Sequence, residues 1–444
     1  MKTVFITSFH PLVSRNILSA PFFDMLACMS DMRVVLLVPA GKKAFFEKYY
    51  ARERVIVEGV ARRLNEADYL FKDFAAAAIR TRSRALIRKM RLGHERWNSL
   101  RLFFWAPLVR RYIPRLYALC MPRWRYATLF ERYAPSLVFA TDIFNPMDVI
   151  FMHEAKARGV ATVGMVRSWD NLTAKGGFRV IPDTLVVQND IVKGEAIHIH
   201  GVPKEIIRVV GMPHYDKYRG SALVSRASFL EKLGVPPDAK YILYAPVGDR
   251  FFTNNTYDRE MVLMLRQLLP PGFFLLVRPP PGDPADMTGV PADPRIIFDE
   301  PGTRFPWAGE RQIDTEMSPD DDDWLAATLA HAELLVSGFT TLTVDAARFD
   351  KPIVVVGFDA RTPLPHDESV LRQLEFEHFQ PILQSGGARL VRNEVELGAV
   401  IREYLAHPEH DRAARHHMLT EQCFRDDGAG SARLLAVVLG AVRQ

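Results

Sequence analysis

Residues 333–357 read ELLVSGFTTLTVDAARFDKPIVVVG. The apolar run at 333–336 has the length of a short buried strand. Ser337 and Gly338 end it, and the hydroxyl-rich pair Thr340–Thr341 opens a helix expected over 341–349. A second apolar run at 352–356 follows as another strand. Strand–turn–helix–strand is the repeating unit of a parallel α/β sheet. The free N–H groups and dipole at such a helix start suit a diphosphate. Glycine at 338 lets the backbone approach a ligand closely. Asp345 stands four residues after Thr341, on the same helical face, where it could accept hydrogen bonds from ribose hydroxyls. A plain capped helix fits the spacing equally well.

The same rhythm extends outward. Behind this unit, runs at 241–244, 273–277 and 296–298 read as strands, 257–269 as a helix, and 324–331 as a helix opened by Ser318–Pro319. The acidic residues 320–323 suit the positive end of that helix; consecutive residues point to different faces, so they make a cap and not a metal site. In the first half, strands are expected at 3–8, 33–38, 54–58, 136–140, 161–166, 184–188 and 206–210, with helices at 20–30 and 146–158. The fold class is therefore α/β with two Rossmann-like domains. A polar stretch at 214–226 is the expected linker, giving domains 1–220 and 221–444. Ser431 is the expected cap of a last helix.

Residues 72–133 break the rhythm as a helical, aromatic insertion. Between Arg80 and Arg125 lie thirteen cations and one anion, Glu95, against a net charge of +5 for all 444 residues. The basic character is thus confined to one segment. Arginines among aromatics suit an anionic, partly apolar surface, and two partners fit: nucleic acid and an anionic membrane face; the α/β frame and the unit at 333–357 favour the membrane face, and nucleic acid is not expected. Three scattered cysteines, Cys28, Cys120 and Cys423, argue against a disulfide framework. The start, MKTVFITSF, is too short an apolar run for a signal peptide, so the expected location is cytoplasmic.

Several loops after strands carry candidate residues. His10 and Arg15 lie in SFHPLVSRN, Asp142 follows the strand at 136–140, and Gly248, Asp249, Arg250 and Thr253 lie in APVGDRFFTNN. Residues 166–177, VRSWDNLTAKGG, hold Arg167, Trp169, Asp170, Asn171 and Lys175. His214 sits in GMPHYD, and Arg278 in VRPPPGD. His10 has the pKa range for a general base; Asp142 and Asp170 are rival bases. His416–His417 is expected on a solvated helix.

Residues 333–357 resemble the donor-site signature of GT-B glycosyltransferases: a Ser/Gly/Thr turn, an acidic residue followed by alanine, then a Lys-Pro strand. Asp345 stands where those families usually have glutamate. VRPPPGD resembles the Arg-His-Pro segment of the CDP-glycerol and polysaccharide transferase branch, with Pro280 in place of histidine. VRSWDNLTAKGG resembles the Trp-Asp-Asn segment of bacterial surface-polysaccharide transferases. The resemblance implies two domains facing a central cleft and a metal-independent transferase whose nucleotide-sugar is co-substrate, with no other cofactor. Donor contacts would come from Gly248, Arg250, Arg278, Ser337, Gly338, Thr340, Thr341 and Asp345. Acceptor contacts would come from Arg15, Arg167, Trp169, Asn171, Lys175 and His214, the acceptor being a lipid-linked cell-surface glycan at the inner membrane face. The alternatives are a polyol-phosphate transferase, a nucleotide-sugar epimerase, and a non-catalytic lipid- or RNA-binding scaffold.

Overall fold

A computed structural model describes residues 1–92, 100–220, 223–249, 252, 255–305, 315–366 and 368–443, and the side chains among these other than those of 90–108 and 220. The chain divides into two compact units: Met1–Gly220 with Cys423–Gln444, and Ser221–Gln422.

The first unit is built on seven parallel strands: β1 (Lys2–Thr7), β2 (Met32–Pro39), β3 (Val55–Val60), β4 (Leu137–Ala140), β5 (Ala161–Met165), β6 (Thr184–Val187) and β7 (Ile207–Val209). Their spatial order is β3-β2-β1-β4-β5-β6-β7. Runs such as Val34–Val38 are buried throughout, as expected for strands covered on both faces. The order reverses direction between β1 and β4.

The second unit has its own sheet of β8 (Lys240–Ala245), β9 (Phe273–Val277), β10 (Ile296–Phe298), β13 (Leu334–Ser337), β14 (Ile353–Val356) and β15 (Arg389–Val391); between β10 and β13 the chain adds a small antiparallel pair, β11 (Thr303–Arg304) and β12 (Thr315–Glu316). The order is β10-β9-β8-β13-β14-β15, all parallel, with the reversal between β8 and β13. The helix after β13 spans Leu342–Arg348, shorter than the sequence suggests.

The end of the chain differs from expectation. The last helix, Gly430–Arg443, packs into the first unit's core through Leu434, Val438 and Val442. Full burial of each such side chain contributes about 1.5–3 kcal/mol, enough to fix the helix there. Its cap is not Ser431. Asp216 accepts from Gly430 N and Ser431 N at 3.2 and 2.5 Å, while Ser431 Oγ donates to Pro213 O at 3.0 Å. Arg219 Nη2 pairs with Asp426 Oδ2 at 3.0 Å, so the residues just before and just after the second unit are joined.

Among the described residues, the basic insertion has four helices, Glu66–Ala77, Arg82–Leu92, Leu100–Cys120 and Ala127–Tyr133. Several of its arginines face inward, which corrects the expectation of one basic surface. Buried Arg125 pairs with buried Asp68 at 2.5 Å, and Arg84 donates to Ala174 O at 3.1 Å. Burial lowers the pKa of Arg110 below the usual guanidinium range. Among the described residues, no helix is long and apolar enough to cross a membrane.

Candidate functional site

In an open parallel sheet, ligands bind beyond the carboxyl ends of strands where the strand order reverses. In each unit, candidate residues lie in loops that follow strand ends, some at the reversal and some one or more strands away.

In the first unit the loops after β1 and β4 meet, with Asn145 Nδ2 donating to Phe9 O at 3.3 Å. Asp148, in the first turn of the helix Pro146–Ala157, accepts from Thr7 Oγ1 at 2.5 Å and from Asp142 N at 3.0 Å. Asp142 accepts from Phe144 N at 3.2 Å and from buried Arg167 Nε at 2.8 Å. Burial raises the Asp142 pKa, but Arg167 and Lys175 outweigh it, leaving the carboxyl below its ordinary range. Such a carboxylate is a weak base, and both its oxygens are engaged. Burial, with the Asp142 charge second, pushes Asp148 up to about 8.

His10 caps the turn Pro11–Val13, its Nδ1 accepting from Leu12 N at 3.2 Å. In the neutral ring that bond places the proton on Nε2. His10 is thereby set to donate from Nε2, and would have to exchange tautomers to accept a proton there. Asp170 is half-buried, its Oδ2 lying 4.0 Å from Lys175 Nζ. Arg15, Trp169 and His214 are buried, His214 with its ring 4.4 Å from that of Tyr215. Asn171 is fully buried, and neither atom of its amide has a hydrogen bond among the described residues.

The insertion clamps this Trp-Asp-Asn segment. Thr81 Oγ1 donates to Thr173 O at 2.5 Å, and Gly177 N donates to Ala75 O at 3.1 Å. Gly176 has φ +141°, and a side chain there would lie 3.1 Å from Ala76. These contacts require glycine at 176 and give the inward arginines their place.

In the second unit, the loop after β8 is organised by Asp258, which the sequence reading passed over. This buried carboxylate accepts from Val247 N and Gly248 N, both at 2.9 Å, from Tyr244 OH at 2.7 Å and from Asn255 Nδ2 at 2.8 Å. The spacing Asn255-x-x-Asp258 at a helix start was its one legible signal. Gly248 has φ +90°, and a Cβ there would sit 2.7 Å from Asp283 Oδ2. Arg250 and Thr253 lie outside the described residues.

Across the reversal, Gly338 packs so closely that a Cβ would meet Val247 Cγ2 at 2.8 Å. Ser337 is fully buried, its Oγ without a hydrogen bond among the described residues. Thr340 Oγ1 accepts from Leu342 N at 3.3 Å, Thr341 makes no side-chain capping bond, and Asp345 is buried. Two strands away, Arg278 is buried and its Nη1 pairs with Asp299, which Trp324 Nε1 also binds at 3.1 Å. Arg278 Nη2 is buried without a hydrogen bond among the described residues. Beyond β14 and β15 is a hollow of about 350 Å³ lined by Gly357, Phe358, Asp359, Leu371, Leu374 and Arg392. Another of similar size is lined mostly by residues that precede β10, away from these loops.

Solved structures share this architecture over the whole chain. S. aureus MnaA in its complex with UDP is 12% identical, with TM-score 0.56, covering 100% of this chain and 98% of that one. The chain has the GT-B fold. The GT-B likeness extends to the UDP-GlcNAc 2-epimerase of Methanocaldococcus jannaschii (12% identity, TM-score 0.53, 99% and 100% covered). It extends also to the wall teichoic acid polymerase TagF (11% identity, TM-score 0.53, 100% and 89% covered). No family model matches the sequence, and no curated protein does.

Proposed function

We propose that the protein is a glycosyltransferase that moves a sugar from a nucleotide-sugar to a cell-surface glycan acceptor. The supporting observation is the cluster at the β8/β13 reversal. Close backbone at Gly248 and Gly338, the buried Ser337 hydroxyl and the open Arg278 Nη2 together suit a diphosphate. Asp345 contacts the ribose and the hollow by Phe358 takes the base. The acceptor binds at the other reversal, by His10, Arg15, Arg167, Trp169, Asn171, Lys175 and His214.

A nucleotide-sugar epimerase is the second reading, favoured by the likeness to UDP-GlcNAc 2-epimerases. Calorimetric titration with UDP-, GDP-, CMP- and CDP-linked compounds identifies the donor. NMR of that donor, incubated alone, then separates the readings: a transferase leaves the sugar's configuration unchanged without acceptor. Conversion at a sugar carbon without acceptor supports the epimerase, and no binding of any donor rejects both.

The acceptor reading includes a lipid-linked substrate, and the insertion supports it. On the helix Leu100–Cys120 the exposed residues Tyr112, Leu116 and Leu119 recur at helical spacing beside exposed Arg111 and Arg115, with Trp124 and Arg123 just beyond. This face, rather than the whole basic segment, binds anionic lipid. The protein is expected to sediment with anionic vesicles at low salt, and Leu116→Glu with Leu119→Glu to stay in solution. Equal sedimentation with neutral vesicles, or at high salt, removes the proposal.

A further inference from the structure

The turn between the helices Glu394–Ala406 and Arg412–Cys423 carries His407, Pro408, Glu409 and His410. One possible ligand atom from each of His407, Glu409 and His410 lies within 4.8 Å of the other two. The imidazoles stack with centroids 4.9 Å apart and 11° between planes.

The surroundings are those of a held site. His410 Nδ1 lies 2.9 Å from Glu403 Oε1, on the preceding helix. A carboxylate on one ring nitrogen fixes the tautomer and orientation of a ligating histidine. Glu403 is held in turn by Arg389 Nη1 at 2.6 Å, and Arg389 Nε reaches Asp411 at 3.1 Å. The turn's carbonyls are fixed from below by buried Arg415, whose guanidinium donates to Pro408 O at 2.9 Å and to His410 O at 2.5 Å. A turn that only solvated its charges would need none of this bracing.

We propose that His407, Glu409 and His410 form a binding site for a divalent transition-metal ion, with zinc the best fit and water completing the coordination. Two imidazoles with one carboxylate favour such ions over magnesium or calcium, which prefer all-oxygen sites. Its place in the fold makes the role structural. Asp350, which accepts from Arg412 Nε at 2.7 Å and Arg415 Nη2 at 2.8 Å, lies just before β14. The site therefore sits at the amino edge of the second sheet, opposite the loops that carry Ser337 and Gly338. The ion ties together the ends of two helices, and the proposal stands independently of the reaction.

The test is calorimetric titration of the full, untagged chain with Zn²⁺ alone, paired with thermal unfolding. One equivalent is expected to bind and to raise Tm. His407→Ala and His410→Ala each weaken binding by at least about tenfold, and the double variant loses it together with the Tm shift. His416→Ala with His417→Ala, on an exposed face of the following helix, leaves the titration unchanged. No binding by the wild-type chain, or binding that survives in the double variant, overturns the proposal.

Discussion

Arg278→Lys is expected to weaken binding of the nucleotide-sugar donor about ten- to a hundredfold while leaving the stability of the second unit unchanged. Lysine retains a cation for half-buried Asp299, which Trp324 also holds, so no carboxylate is left uncompensated. It lacks a counterpart to Nη2, the nitrogen that is buried without a hydrogen bond among the described residues. A hydrogen bond to a charged group is worth about 1.5–3 kcal/mol, which is that range of affinity. Alanine is the less informative change, because it would also take the cation from half-buried Asp299 and alter stability for unrelated reasons. Calorimetry with the donor identified by titration, beside urea unfolding, reads both quantities. Donor affinity within about twofold of wild type would place the diphosphate elsewhere.

Asp148→Asn is expected to stabilise the first unit, increasingly so as pH rises. The folded-state pKa of Asp148 is raised to about 8 by burial and by Asp142, while an unfolded aspartate titrates at about 4. Between those values the folded chain keeps a proton that the unfolded chain has released. Stability from this group is therefore full at low pH and declines through the window, by at most about 1.4 kcal/mol per pH unit. Asparagine keeps an acceptor for Thr7 Oγ1 and Asp142 N and removes the titration. Asp142, whose pKa is lowered, is ionised in both states across this window and adds little slope. Chemical unfolding at pH 5 and pH 8 should show the variant gaining roughly 2 kcal/mol or more on wild type. A difference that stays constant with pH contradicts the account.

The strands were legible because their burial is written in consecutive residues. Val34 to Val38 have no polar alternative, and the run ending at Ser337 is bounded by residues that cannot continue it. The loops were legible for the same topological reason: polar residues after a buried strand must emerge at its carboxyl end. What stayed hidden depends on partners distant in sequence. Leu434, Val438 and Val442 announce an apolar helical face, but nothing local says which of two cores receives it. Asp148 and Asp258 look like ordinary first-turn acids until the loops they hold are folded over them. The arginines of the insertion looked alike in sequence, although Arg125 is buried against Asp68 and Arg111 is exposed. The turn at His407 to His410 was overlooked because its bracing comes from Arg389 and Arg415, on either side in sequence.

The pairing of Arg219 with Asp426 has a thermodynamic side. The second unit leaves the first at Gly220 and rejoins it at Cys423, so both of its ends are anchored in one folded body. While that body stays folded, the second unit can unfold only as a closed loop of about 200 residues. Loop closure removes entropy from the unfolded ensemble just as a cross-link does, worth about 5 kcal/mol for a loop of that length on the chain-entropy model. The first unit thus acts as a covalent staple for its neighbour, and the order of melting follows. The second unit gains this protection only until the helix Gly430–Arg443 lets go.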